Sequence, residues 1–397
     1  MTATAKPIVI DIALARTPAI DGPIERIAVL RPVMLGELLC TVPALRALRH
    51  GFAQAQITLV GLPWARPLAQ RLGCVDRFVE FPGYPGLDEC EFDARALPDF
   101  LAQMQARRFD LALQMHGGGA LNPLASLLGA RHSAGFHDEH AWVPHEDDAL
   151  YLPWPQRGHE IERMLALTDR LGLARRGTQL EFPLTAQDRE DLVALWPEAA
   201  QRARPYVVVH AGAQLPSRRW LAQRFAQLAD QIAARGATVV LTGGAPEAEL
   251  VNAVAAAMRR PAVNLVGRTQ LWTLGALVEG AQAVVCNDSG ISHVAAALQR
   301  PSVVVSCGAD VQRWSPLDRE LHRVVWSNPP CRPCAHELCP FDHACARDVE
   351  VEDVMKEFSR AEAGSLPDCG RGPLPASGER ELNSLLFRDP ALIQALR

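Results

Sequence analysis

Four stretches of this chain carry side chains able to do chemistry. In "CNDSGISHVAAALQRPSVVV" (286–305) an apolar run stops at Cys286, and a turn of small residues opens a helical pattern at Gly290. Free N–H groups at such a helix start, here from Ser289 to Ile291, point outward and suit an anion. Asp288 is the odd member, because a carboxylate repels phosphate. It can cap the helix or reach past phosphates to sugar hydroxyls. His293, one turn in, either faces the same pocket or is a core histidine. In "HAGAQLPSRRWLAQRFAQLAD" (210–230) a strand pattern ends in a Gly-containing loop bearing Arg218 and Arg219. The pair could neutralise a pyrophosphate leaving group or lie solvated at the surface. "LTGGAPEAEL" (241–250) places Glu247 and Glu249 after a Gly-Gly turn. One of them could hold a ribose through its hydroxyls, and both could equally serve the dipole of the helix they begin. The fourth stretch, "VLRPVMLGELLCTVPAL" (29–45), sets a lone carboxylate, Glu37, behind Gly36 where a strand hands over to a helix. That carboxylate either complements the helix dipole or stands at the strand-end edge where open α/β sheets bind ligands.

Two further groups are candidates. "MHGGGALNPL" (115–124) ends a strand pattern, and Gly117 and Gly118 beside His116 would let a ligand approach the backbone. The same letters mimic the oxyanion-hole motif of esterases, but that chemistry also needs a G-x-S-x-G elbow, which the chain lacks. Cys331, Cys334, Cys339 and Cys345 form C-x2-C-x4-C-x5-C, flanked by His336 and His343. The first pair has zinc-knuckle spacing and four thiolates could close a tetrahedral site, while the later spacings match no standard finger. Reduced thiols that pack or pin a loop, a structural zinc or iron, and disulfides are all open readings. Cys40 and Cys286 read as small apolar fillers.

The elements that must position these groups follow one rhythm, short apolar runs alternating with helical-period segments, which marks a parallel α/β architecture. In the first half, strands are expected at 26–30, 56–60, 77–81, 109–115 and 132–136, with helices at 38–50, 94–107 and 159–171. The proline-rich span 140–157 reads as loop, and "TQLEFPL" closes this half. The rhythm restarts with strands at 205–213, 237–244, 262–267, 283–290 and 301–308, separated by helices. Two α/β domains are therefore expected, 26–188 and 205–356, joined near 185–204. Residues 1–25 read as an N-terminal extension and 361–397, rich in Gly, Pro and Ser, as a mobile tail.

Bulk properties exclude several classes. A chain of 397 residues with 48% hydrophobic and 21% charged residues is an ordinary globular composition, too long for one ordinary domain. The formal net charge of −5 argues against a nucleic-acid-coating protein. Lysine occurs only as Lys6 and Lys356, so an anion site must rely on arginine, backbone N–H groups or helix ends. No basic start, long apolar core and cleavage site mark a signal peptide, and no run of about 20 apolar residues spans a bilayer. Ten cysteines without an export signal suit a reducing cytosol.

Taken in order, "LGELLCTVPALRALR", "GAQLPSRRWLAQRFAQLA", "LTGGAPEAEL", "NLVGRTQLWTLGALVEGAQAVVCNDSGISHVAAAL" and "CRPCAHELCPFDHACARDVEVEDV" resemble glycosyltransferase family 9, the ADP-heptose:lipopolysaccharide heptosyltransferases. The resemblance spans about residues 26–356 and is most specific around "NDSG" and the following His293. It implies a GT-B architecture, two Rossmann-like domains facing across a cleft, with the acceptor on the N-terminal and the nucleotide-sugar on the C-terminal domain. It implies a metal-independent, inverting displacement with no cofactor, in which one general base takes the acceptor proton. The family's Gly-Asp pair appears here as Gly36-Glu37, so Glu37 is the implied base, set one methylene further out. Arg218 stands where the family often has lysine and would hold the diphosphate with Ser289 and Gly290. Asp288 and His293 would face the donor sugar, Glu247 or Glu249 the ribose, and Gly36, His116, Gly117 and Gly118 the acceptor. The implied partners are ADP-heptose and a lipid-anchored lipopolysaccharide core, met by peripheral contact at the cytoplasmic face of the inner membrane, with no nucleic acid. The Gly-Glu departure keeps two alternatives: a member that glycosylates a protein or another polysaccharide, and a catalytically silent nucleotide-sugar-binding protein. An epimerase on the same architecture is disfavoured by the "NDSG" block.

Overall fold

Arg26–Leu30 (β1) is almost wholly apolar and its last four residues are buried, as a central parallel strand requires. The computed structural model describes residues 20–87, 89–200 and 205–364. Around β1, five strands complete the first sheet: Gln56–Gly61 (β2), Arg77–Glu80 (β3), Leu111–Gln114 (β4), His132–His137 (β5) and Tyr151–Pro153 (β6). The spatial order is β3-β2-β1-β4-β5-β6, and every pairing is parallel. Ile27 lies beside Ile57 on one side and Leu111 on the other. The second sheet holds Tyr206–His210 (β7), Thr238–Thr242 (β8), Val263–Asn264 (β9), Ala283–Asn287 (β10), Ser302–Val305 (β11) and His322–Val325 (β12). Its order, β12-β11-β10-β7-β8-β9, repeats the first and is again all parallel.

Both sheets thus reverse direction of winding next to their first strand, between β1 and β4 and between β7 and β10. Such switch points open a crevice beyond the carboxyl ends of the strands. Two doubly wound parallel domains are what the alternating pattern implies, and this is the observed α/β fold.

Three features depart from the sequence reading. The segment 140–157, expected as loop, contains a 3-10 turn at His145–Leu150 and β6. The turn is tied down by Asp147, whose Oδ2 accepts from the Ser133 backbone N–H at 2.7 Å. β12 follows a polar stretch and was not expected as a strand; both β6 and β12 are short edge strands with no alternation long enough to read. The join near 185–204 begins with a helix, Ala186–Leu195, capped by Thr185. Its Asp188 is held by Arg71 at 2.5 and 3.0 Å, and its Arg189 by Glu279 at 2.6 and 2.7 Å, so the helix bridges the domains.

The second domain runs past residue 356. The helix Val351–Gly364 buries Val354, Phe358 and Ala361 against the second sheet, so residues 361–364 of the segment read as a tail are helical. The remainder, 365–397, lies outside the described residues, as do residues 1–19 of the N-terminal extension. Residues 20–25 run up to β1, where Glu25 and Arg26 donate their backbone N–H groups to Asp110 Oδ2 at 2.8 and 2.9 Å.

Candidate functional site

Most of the candidate groups sit at carboxyl ends of strands flanking the two switch points. Glu37 follows β1, His116 and Gly117 follow β4, Arg218 follows β7, Glu247 follows β8 and Asp288 follows β10. What brings the two sets together is the meeting of two helix N-termini, Leu35–Gly51 from the first domain and Gly290–Ala297 from the second. A Cβ on Gly290 would lie 3.4 Å from the Leu35 side chain, and a Cβ on Gly36 only 2.6 Å from His293 Cδ2. Gly36 is therefore glycine because the imidazole of the other domain occupies the space of its side chain.

On the first-domain side, Glu37 occupies the third helical position, and its Oε2 accepts from the Met34 backbone N–H at 3.2 Å. The helix-cap reading of Glu37 is thus realised, and that bond also fixes the direction of the carboxylate. His116 Nε2 lies 2.8 Å from Glu89 Oε1. Gly117 and Gly118 both take positive φ (104° and 56°), which favours glycine. The Trp154 ring would stand 3.0 Å from a Cβ on Gly117.

On the second-domain side, Asp288 is buried, and its Oδ2 accepts from Ser306 Oγ at 3.0 Å. Burial pushes its carboxyl above the ordinary range, and Ser306, Arg218, Arg332 and Arg319 oppose without reversing that push. Ser289 is the N-cap of its helix with extended backbone, and Gly290 opens the first turn. The Nε of Arg218 is buried and makes no hydrogen bond among the described residues. Glu247 folds back so that its Oε2 accepts from the Gly244 N–H at 2.7 Å. Its carboxylate fills the space where a Gly212 side chain would be, and His210 Nε2 stands 3.8 Å away. Burial drives the His210 imidazole downward while Glu247 opposes. The two acidic rivals therefore separate: Glu247 lies against the loop leaving β7, and Glu249 is exposed on the following helix.

His293 is buried at the junction, with Nδ1 3.6 Å from Cys40 Sγ. Burial, with His159 and His322 nearby, pushes its imidazole down to about 4, so it is neutral at pH 7. The Cys40 thiol is pushed well above its ordinary value by burial, and it also feels the carboxylates of Glu160, Glu37 and Asp288. One small side chain thus has carboxylates of both domains as electrostatic neighbours.

Several residues at this junction had no signal in the sequence reading. Arg31, 1% exposed, donates to Thr41 Oγ1, Met115 O and Glu160 Oε1 at 2.9, 2.6 and 2.9 Å. Glu160 is fully buried, and its other oxygen accepts from Arg313 Nε of the second domain at 2.8 Å. Burial alone would raise the Glu160 carboxyl, but Arg31 and Arg313 outweigh it and hold it below its usual range. Beside it, His159 Nε2 lies 2.9 Å from Ser315 O, a second tie across the junction. Asn287 anchors the basic loop, accepting from the Trp220 N–H at 2.9 Å and donating to Ala211 O at 2.6 Å. A charged residue at the end of an apolar strand, as at Arg31, is the one local hint that a buried partner exists.

The cysteine segment packs onto the turn after β11. Among the described residues no three His, Cys, Asp or Glu side chains converge as ligands would, and the nine described cysteines are free thiols. Cys345 hydrogen-bonds Cys307, outside the motif, which with His343 and Arg332 holds its thiol down at about 6 against burial. The Cys334 N–H donates to Gly308 O at 2.7 Å. The segment is pinned to the turn after β11 by packing and hydrogen bonds. No described helix is long and apolar enough to cross a membrane.

Comparison with known proteins gives a consistent picture. The family model "Glycosyltransferase family 9 (heptosyltransferase)" matches residues 99–345. The lipopolysaccharide heptosyltransferase 2 of Escherichia coli K12 is 29% identical over 303 residues, covering 70% of this chain and 82% of that protein. Among solved structures, the E. coli ADP-heptose lipopolysaccharide heptosyltransferase II superposes with a TM-score of 0.69 at 22% identity, covering 85% and 98% of the two chains. An E. coli heptosyltransferase solved with ADP-2-deoxy-2-fluoro heptose superposes with a TM-score of 0.58 at 20% identity, covering 84% and 99%.

Proposed function

The chain belongs to glycosyltransferase family 9, and on that premise we propose that it moves a heptose from ADP-heptose to a hydroxyl of the lipopolysaccharide inner core by a single inverting displacement. The observation that carries this reading is the meeting of the two helix starts. It sets Glu37 of one domain opposite Asp288, Ser289 and Gly290 of the other. That arrangement suits a reaction needing a base on one side and an anion cradle on the other.

In this mechanism Glu37 takes the proton from the acceptor hydroxyl. Its Oε2 is committed to Met34 N–H, so Oε1 is the oxygen that works as base. The freed alkoxide attacks the anomeric carbon from the face opposite the ADP, and the bond to the β-phosphate oxygen breaks. Charge gathers on that diphosphate. Arg218 and the N–H groups of Ser289 and Gly290 stabilise it, which is what aligned donors in a water-poor site do best. Asp288 receives hydroxyls of the sugar with His293 beside it, and Glu247 holds the adenosine ribose. His116, Gly117 and Gly118 line the acceptor approach next to Gly36. No metal enters the scheme, since the basic groups and helix ends supply the countercharge. The acceptor is lipid-anchored, so the protein meets the cytoplasmic face of the inner membrane peripherally.

The test is ADP release from ADP-heptose, with and without heptose-deficient lipopolysaccharide, for the wild type and Glu37→Gln. Acceptor-dependent release that falls at least about 10²-fold in the variant supports heptosyl transfer with Glu37 as base. Full activity in Glu37→Gln moves the base elsewhere, and absence of release with any acceptor removes this assignment of substrates.

A further inference from the structure

The cysteine-rich segment carries one side chain that the proposed mechanism leaves unused. Arg332 reaches inward from between Cys331 and Cys334. Its Nε donates to Ala309 O at 2.9 Å, and its Nη1 to Ser306 O and Ser327 O, both at 2.7 Å. Its Nη2 donates to Ser306 Oγ at 2.7 Å, and that oxygen stands 3.0 Å from Asp288 Oδ2. Guanidinium groups only donate and a carboxylate only accepts. With Arg332 donating to Ser306 Oγ, the serine hydrogen is directed to Asp288. The chain is therefore polar in one sense, from arginine through serine to aspartate.

The backbone around it is fixed. Asp288 N–H donates to Val305 O at 3.1 Å, β10 pairs Asn287 with Val305, and Cys334 packs its sulfur against Gly308, which takes a φ of 62°. The turn 306–309 is thus gripped by residues 332–334 on one side and by the end of β10 on the other.

We propose that Arg332 is a positioning residue for Asp288, acting through Ser306 to steady the carboxylate and aim it at the sugar hydroxyls of the donor. This rests on the reading of Asp288 as a donor-sugar ligand, and it gives the cysteine segment a role that needs no metal: it delivers the arginine. The charged and titratable groups that face Asp288 are Arg218 after β7, Arg319 before β12, Arg332, and the thiols of Cys286, Cys307 and Cys40. Burial raises the Cys286 and Cys40 thiols, and its hydrogen bond with Cys345, helped by burial, raises Cys307. Behind Arg332 stand Asp310 and Cys345, whose thiol is held down at about 6. The three arginines oppose the burial of the Asp288 carboxylate without overcoming it. Removing one charge-bearing path of this kind moves a carboxyl by about 1 pH unit or more.

The direct test is a 13C NMR titration of aspartate carboxyls in the whole chain, with the Asp288 signal assigned through Asp288→Asn. Arg332→Gln is expected to raise the Asp288 midpoint by about 1 unit, Ser306→Ala to raise it similarly, and Arg332→Lys to recover part of the shift because the charge remains without the fork. The kinetic counterpart is an increase in KM for ADP-heptose of about tenfold in Arg332→Gln, with the acid limb of kcat/KM displaced upward and the affinity for free ADP unchanged. An unmoved Asp288 midpoint in folded Arg332→Gln overturns the proposal. So does a uniform loss of ADP affinity and melting temperature that Arg332→Lys does not repair, since that is the signature of a plain structural brace. If Arg332→Gln does not fold, the Ser306→Ala midpoint decides the question. A wild type that does not turn over ADP-heptose would refute the functional reading, while the NMR midpoint would still decide the relay.

Discussion

Gly36→Ala is the smallest change that should disable the enzyme while leaving both domains intact. The added Cβ would stand 2.6 Å from His293 Cδ2 and 3.1 Å from its Nε2. Carbon atoms in good contact lie about 3.5–4.0 Å apart, so about 1 Å must be found. The imidazole cannot readily supply it: it is buried, with Cys40 Sγ 3.6 Å from Nδ1 and the Trp314 ring edge-on at 6.4 Å between centroids. The displacement therefore falls on the spacing of the two helix starts, which is the spacing between Glu37 and the donor groups. Overpacking of this kind costs about 1–3 kcal/mol, offset by about 1 kcal/mol because alanine suits a helix better than glycine. Net stability should change by at most about 2 kcal/mol. A misplacement of about 1 Å, in contrast, costs about 10²-fold in rate. The assay pairs kcat for acceptor-dependent ADP release with calorimetric binding of free ADP. The groups assigned to ADP, Arg218, Glu247, Ser289 and Gly290, all lie in one domain, so kcat should fall about 10²-fold with ADP affinity retained. A variant with kcat within about threefold of wild type, or one that loses ADP affinity in step with rate, would refute the argument that domain spacing is what Gly36 protects.

Other consequences are as concrete. Glu160→Gln leaves Arg31 buried without its charge partner, so chemical denaturation should report a loss of about 3–5 kcal/mol; Arg313→Gln should cost less, because that side chain is 27% exposed. His322 is buried beside Ser302 Oγ at 2.9 Å, and burial pushes its imidazole down to about 4. Between that value and the ordinary one of about 6.5 the unfolded chain binds the extra proton, so stability is full above the upper value and is lost as pH falls through the window. The loss approaches about 3 kcal/mol for this one group, and the slope of melting temperature against pH should flatten in His322→Gln. Prolonged EDTA treatment should leave ADP release unchanged, because the proposed transfer draws its countercharge from Arg218 and helix ends; a fall in melting temperature would favour the structural-metal reading of the cysteine segment.

Local pattern was enough to read the class of fold and to single out candidate residues at the ends of strands. The runs at 27–30 and 283–286 are apolar because central parallel strands are covered on both faces. A carboxylate or arginine just past such a run, as at Glu37, Arg218 or Asp288, stands out because the ligand edge lies there. Short edge strands such as β6 and β12 escaped, since three or four residues beside proline or charge carry no period. What faces what was decided only by tertiary structure. Arg31 meets Glu160 across 129 residues and Arg313 meets Glu160 across 153. Glu37 and Glu247, each readable as a helix-dipole partner, became distinguishable from Glu249 only by what they touch. The reason is physical: periodicity reports which face of an element is buried, whereas the partner on that face is set by strand order, by the winding of each sheet and by the docking of one domain on the other. Gly36 is the clearest instance, a glycine whose necessity lies entirely in a histidine of the opposite domain.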